Sequence, residues 1–495
     1  MNRTTVSLIA VTTALAAVTG FAALNAPDAP AADTAQAAAR LPVERSSLLC
    51  PAPSTSDLAE TSYTSFTPAT PDGEAAGKAE LAAAEKESAS SGKTKKPDTK
   101  PVLTPKEPGK PVGGSASGAD VPARIGTAQG GLAPGWTVQE TTTVTAGSGR
   151  GVLGTTCSAP DTDFWFPGVS TADERTDYVH LTNPDDSAAV VDIELYGKDG
   201  ALKSDVGEGI QVPPHASVPV LLSTLLDKPQ TNLTAHVTVR SGRVGAAVQA
   251  ADDKLGADWL APSTDPSGSL VLPGIPKDAT SVRLVVFAPG QDDADLKVEL
   301  ASPNSSISPA GHETLHVKSG MTAAVDLGDV TKGEAGSLML TPTDRSVPVV
   351  AALRVVRGKG DKQETAFIPA TAPVSTRATA VDNRAKGSTL ALVAPGATAV
   401  VKVTASPGTG GGSPVTEKYT VKAGTTLEVK PPVPGGLKGT YALTVEPVSG
   451  GPVHASRLLE LPEGGVPMFT VQTLPDDRGT VSVPKAEPDL SVLVK

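Results

Sequence analysis

Along most of this chain, apolar and polar residues alternate in short runs broken by turn signals. Clear examples are Tyr178 to Thr182, Val190 to Tyr196, Gly209 to Val212, Leu233 to Val239, Val244 to Gln249 and Asp258 to Leu260. A period of two places alternate side chains on opposite faces, so each run predicts a strand with one face in a core. Asn183-Pro184, Asp199-Gly200 and Ser241-Gly242 separate the runs and predict turns. Six or seven such strands in about a hundred residues is the pattern of an antiparallel β-sandwich of immunoglobulin-like character.

The pattern repeats. Leu181-Thr-Asn-Pro184 recurs in register as Val286-Phe-Ala-Pro289 and Leu392-Val-Ala-Pro395, with the three prolines 105 and 106 positions apart by subtraction. Ile193, Val298 and Val403 fall at matching offsets, as do Val212, Val317 and Val421. A period this long predicts tandem domains rather than propeller blades or solenoid turns, whose periods are about 20 to 50 residues. We therefore expect an all-β chain with sandwiches at 161–265, 266–372 and 373–495.

Upstream, residues 40–71 and 121–160 hold strand-like pieces at Ser47 to Cys50, Thr61 to Phe66, Trp136 to Val144 and Gly151 to Cys157. Together they predict a small partial β module. The intervening residues 72–120 are rich in Ala, Lys, Glu, Ser and Pro, with Val102-Leu103 as a lone apolar pair. So little apolar surface predicts a disordered, mildly basic linker.

Composition narrows the function classes. The chain has 49 Gly and 45 Pro in 495 residues, which suits many turns and few long helices. Its formal charge of −11 opposes nucleic acid as a partner for the whole molecule. An apolar run from Val6 to Leu24 behind Arg3, followed by small residues, makes 1–39 a secretory signal with a small-residue tail. Cleavage and retention as an N-terminal membrane anchor both stay open, and no later run is long enough to span. The chain is thus expected to be secreted or extracytoplasmic, free or tethered.

The two cysteines, Cys50 and Cys157, are expected to pair in an oxidising compartment, the alternative being two separate buried thiols. A bridge over a loop of about a hundred residues is worth on the order of 4 kcal/mol in the chain-entropy model.

Candidate chemistry is sparse. His312-Glu-Thr-Leu-His316 spells HExxH, which on a helix places two His on one face to hold zinc beside a Glu base. Here the repeat aligns Glu313 to Gly320 with Glu417 to Gly424, where Leu315 and Tyr419 alternate as in strands. On a strand the two His lie about 13 Å apart along the chain. His312 and His316 are accordingly weak metal candidates, and a secreted zinc protease is the alternative to a non-enzymatic protein. Glu334 is a conceivable third ligand, but its glycine-flanked surroundings read as a turn. Asp185-Asp186 and Asp292-Asp-Ala-Asp295 offer hard oxygen donors for calcium at matching turns, although the third repeat has Gly396-Ala-Thr398 there. No cofactor motif is present.

Aromatics are 3% of the chain, so Phe164-Trp165-Phe166 stands out. Leu270, Val271 and Leu272 occupy the matching positions, which favours packing over an exposed sugar-stacking platform. Trp165 and Trp259 are the candidate ligand-binding aromatics, and a cell-wall glycan or another envelope protein is the candidate partner. Cys50-Pro-Ala-Pro53, Cys157-Ser-Ala-Pro160 leading into Trp165-Phe-Pro-Gly168, and Leu181-Thr-Asn-Pro184 together resemble an uncharacterised family of secreted proteins from high-GC Gram-positive bacteria, a domain of unknown function. That resemblance implies export and brings no catalytic residues with it.

Overall fold

The computed structural model describes residues 39–70, 76–86 and 100–483. Nearly all of the expected signal and the center of the expected linker lie outside the described residues. Within them the regular structure is β-strand, apart from one 3₁₀ turn at Leu222–Leu225. No helix among the described residues is long and apolar enough to cross a membrane.

Residues 42–479 form one compact unit. It holds four modules, each an antiparallel two-sheet sandwich. In the N-terminal module the strands are β1 (Arg45–Cys50), β2 (Glu60–Phe66), β3 (Gly77–Ala83), β4 (Val112–Ser117), β5 (Arg124–Gly130), β6 (Thr137–Val144) and β7 (Gly151–Thr156). One sheet runs β1-β5-β3 and the other β4-β2-β6-β7. Sandwich 1 repeats this order, with Asp163–Val169, Leu233–Ser241 and Ala189–Gly197 in one sheet. Its other sheet runs Ala216–Leu221, Arg175–Thr182, Gly245–Asp252 and then β8 (Gly256–Leu260). Sandwiches 2 and 3 follow suit and close with β9 (Lys362–Pro369) and β10 (Phe469–Thr473). The closing strands end at Thr156, Leu260, Pro369 and Thr473, which are 104, 109 and 104 positions apart by subtraction. The repeat is therefore fourfold. In each module the first strand lies beside the fifth of the seven.

The expected linker is corrected here. β3 and β4 lie inside residues 72–120 and are integral strands, β3 pairing with β5 and β4 with β2. A strand against a sheet needs only one apolar face, and Ala79 and Leu81 supply it for β3. Leu103 packs into the same core and bridges back to Leu81, so the lone apolar pair is used. β4 is Gly- and Ser-rich because it sits at a sheet edge where the chain approaches closely: a side chain at Gly114 would meet the Val102 carbonyl at 2.5 Å. A short strand, Glu85–Lys86, adds in parallel to Ala216–Leu221 of sandwich 1.

The expected 373–495 boundary also changes. Sandwich 3 is complete at β10, whereas Thr480–Val483 pairs with Ala39–Pro42 in a separate two-stranded ribbon whose residues are exposed.

The disulfide is formed: Cys50 at the end of β1 bonds Cys157 just after β7, 107 positions on. It ties the first strand of one sheet to the last strand of the other, and a backbone bridge between Leu49 and Ser158 runs alongside.

Candidate functional site

The four closing strands meet. β7 contacts β8, β8 contacts β9, β9 contacts β10, and β10 returns to β7 in a closed cycle. Each brings apolar residues into a neighbour: Phe367 of β9 lies in the sandwich 1 core, and Phe469 and Val471 of β10 in that of sandwich 2. Trp259 of β8 packs with Val144 and Leu153 of the N-terminal module, and Val152 of β7 with Leu459 and Met468 of sandwich 3.

Polar side chains sit at the center of this cycle. Asp258 of β8 is fully buried, and its Oδ1 accepts hydrogen bonds from the N–H of Gly154 (3.0 Å), the N–H of Trp259 (2.8 Å) and Thr470 Oγ1 (3.1 Å). These donors come from β7, β8 and β10. Glu364 of β9 is also buried, with Arg150 Nε 3.5 Å from its Oε2. Removal from water holds the Asp258 carboxyl well above the usual carboxylate range, because its three donors do not offset the lost hydration. Burial pushes Glu364 up to about 9, Arg150 pulling it down and Asp258 pushing it further up. Glu364 is therefore neutral at pH 7. Gly154 admits this approach, since a Cβ there would lie 2.5 Å from Thr470 Cγ2.

A second polar contact joins the N-terminal module to sandwich 3. Arg457, fully buried, donates from Nη2 to Gln139 Oε1 (3.1 Å), the Val381 carbonyl (3.3 Å) and Gln472 Oε1. Gln139 Oε1 also accepts the Val381 N–H at 2.8 Å. Burial lowers the Arg457 pKa to about 10, so it stays charged at neutral pH. These groups are closed off from solvent and act as structural fasteners.

The residues singled out from sequence are placed as follows. Trp165 is buried between sandwiches 1 and 2, stacked on His236 with centroids 3.5 Å apart and near Phe287 at 5.4 Å. Trp259 is buried as described, with His180 at its edge (5.1 Å). Neither offers an exposed stacking face, and the ligand-binding expectation for both gives way to packing between modules. His316 lies on the strand Thr314–Val317, and its ring nitrogens face Asp295 (Nδ1, 2.8 Å) and Asp293 (Nε2, 3.5 Å). His312 lies outside that strand, in a turn whose N–H donates to the Pro309 carbonyl, and the Glu313 carboxylate accepts the Gly311 N–H. The helix that HExxH chemistry requires is replaced by a strand. The acidic turns are engaged by basic partners: Asp185 by Arg243, Asp186 by His215 and Asp292 by Arg345.

Sequence reasoning passed over Arg150, Asp258, Glu364 and Arg457. For Asp258 the available signal was a charged residue inside an otherwise apolar closing strand, Gly256-Ala-Asp-Trp-Leu260. It also passed over an open groove of about 530 Å³ on the N-terminal module, lined by Arg45, Ser47, Thr127, Gln129, Arg243 and Arg478 among others. In β1, Leu48 and Cys50 point into the core, so Arg45 and Ser47 point outward, opposite Gln129 and Thr127 of β5.

No curated protein matches the chain. Residues 112–432 match the model of a family of unknown function, DUF5719, beginning at β4 and running through the three-sandwich repeat into sandwich 3. Since the match spans well over half of its length, the chain belongs to the family of unknown function DUF5719.

Proposed function

We propose that this chain is a non-enzymatic, extracytoplasmic binding scaffold that acts at the cell envelope on a wall glycan or another envelope protein. The observation that carries the reading is the closed cycle of β7, β8, β9 and β10. A spacer gains reach by stringing modules end to end, whereas here side chains from each module are buried in the next, giving one body. Its buried acids and Arg457 are closed off from solvent between modules, and the groove faces solvent. The Cys50–Cys157 bond suits an oxidising compartment, and the resemblance to exported proteins points the same way.

The test is co-sedimentation of the purified, disulfide-intact chain with envelope fractions: intact wall, wall stripped of protein, and membrane. Retention on protein-stripped wall is the expected result. Absence of retention on every fraction overturns the envelope reading.

A further inference from the structure

The groove on the outer face of β1 and β5 has a chemical character that sets it apart from the rest of the surface. Three arginines, Arg45, Arg243 and Arg478, line it, and no Asp or Glu does, in a chain whose formal charge is −11. Arg243 is held by Asp185 from outside the groove, Nη2 to Oδ1 at 2.9 Å. Arg45 and Arg478 are exposed and have no ion-pair partner among the described residues. A cationic recess on an anionic molecule concentrates anions locally.

Arg478 is also fixed in place. Its backbone sits at φ 53°, a left-handed conformation that costs a non-glycine residue about 1–2 kcal/mol. The turn is held from several sides. Asp476 Oδ1 accepts the N–H groups of Ser375 (2.9 Å), Thr376 (2.9 Å) and Arg377 (3.1 Å). Asp477 Oδ1 accepts the Gly479 N–H at 3.1 Å, while Arg377 binds Asp477 Oδ2. The Gly479 carbonyl accepts the Val43 N–H at 3.2 Å, joining the turn to the segment leading into β1. Asp476 thus binds backbone N–H groups and Asp477 binds Gly479 N–H and Arg377, and Arg478 lines the groove.

Hydroxyls and an amide on the outer face supply the remaining polar side chains: Ser47, Thr127 and Gln129. No aromatic ring lines the groove, so a ligand is held by charge and hydrogen bonds and not by stacking. A volume of about 530 Å³, open to solvent, suits a few units of a longer chain.

We propose that this groove binds an extended, hydroxyl-rich polymer carrying carboxylate or phosphate groups, with Arg45 and Arg478 as the anion contacts and the Ser, Thr and Gln side chains on its hydroxyls. This names the ligand class for the binding scaffold and rests on that reading. The test measures binding of the full chain to soluble polygalacturonate, to poly(glycerol phosphate) and to neutral dextran at low and high salt. Binding to one or both anionic polymers, weakened by salt and absent with dextran, is expected; the polymer that binds tells carboxylate from phosphate.

Arg45→Ser or Arg478→Gly each weakens binding about tenfold, the loss of one charge-assisted contact. Glycine at 478 suits the left-handed backbone, so that variant keeps the fold. Arg45→Glu with Arg478→Gly abolishes binding, and Arg345→Glu on sandwich 2 leaves it unchanged. Equal binding by wild type and the double variant, or binding to neither anionic polymer, overturns the groove assignment. A double variant that loses polymer binding while wild type ignores envelope fractions keeps the groove and removes the envelope setting. A double variant retained on envelope like wild type does the reverse.

Discussion

The N-terminal module and sandwich 2 have the same strand order and very different interiors. Among the described residues, the apolar cluster of sandwich 2 has 27 members, several lent by sandwich 3, and that of the N-terminal module has 12. The smaller core also carries polar groups. Glu140, which registers opposite Tyr63, is fully buried with neither carboxylate oxygen hydrogen-bonded, and the Arg124 guanidinium lies 5.7 Å from the Tyr63 ring center. Burial raises Glu140 well above the usual carboxylate range, Arg124 opposing it. Topology here follows from strand alternation and turns, which both modules share, and not from core volume. The module with the poorer core is the one closed by a disulfide.

The largest expected effect breaks that closure. Replacing Cys50 and Cys157 by Ser costs on the order of 4 kcal/mol, since the cross-link closes a loop of 107 positions. In denaturant, the N-terminal module should unfold first in the variant, visible through Trp136, which sits in its core. A midpoint unmoved by the substitution would mean the small core suffices alone.

Next is Leu81→Ala in β3, expected to cost about 2–5 kcal/mol, like Leu340→Ala in sandwich 2. Both leucines are fully buried, so similar losses would place β3 on an equal footing with a strand of the large core. A neutral Leu81→Ala would return residues 77–83 to the linker that composition suggests.

Glu140→Gln tests the polar core through pH. An acid whose folded pKa is raised keeps its proton while the unfolded chain loses it, so stability falls as pH rises above the ordinary carboxylate value. The variant should gain stability over wild type on going from pH 4 to pH 8, since it removes the one group whose proton uptake differs between the folded and unfolded chains at this site. Equal pH profiles for the two proteins would show that Glu140 is not buried as described.

Smallest is Glu364→Gln at the junction. Its window runs from the ordinary carboxylate value of 4.5 to about 9, within which stability declines as the unfolded chain ionises and the folded one does not. The gain over wild type should grow from pH 4 to pH 8, and the lost Arg150 contact lowers it at every pH, which makes the net effect the smallest of these. Melting curves across that range would show it.

Local signals made much of this legible. Alternation located Glu60–Phe66, Thr137–Val144, Ala189–Gly197 and Leu233–Ser241 to within a few residues, because a half-buried strand writes its period into the sequence. The same rule put His316 on a strand against the pull of the HExxH motif. β3 and β4 were hidden because Ala and Gly fill them: a strand packed closely against neighbours needs small side chains, which in composition look like a linker.

By itself, then, the sequence determined the strand period, the repeat length and a cysteine pair able to close the first module, all of which are local or periodic properties. The tertiary structure decided the rest. The fourth module, the cycle of closing strands and the charges buried in it depend on residues from different modules, such as Gly154, Asp258 and Thr470, being brought within hydrogen-bond distance. Arg45, Arg243 and Arg478 are 198 and 235 positions apart by subtraction and become one groove because the end of sandwich 3 and a turn of sandwich 1 fold against β1 and β5. A ligand site assembled from single residues on separate strands leaves no spacing along the chain to be read, since only the packing of the modules sets the distances between them.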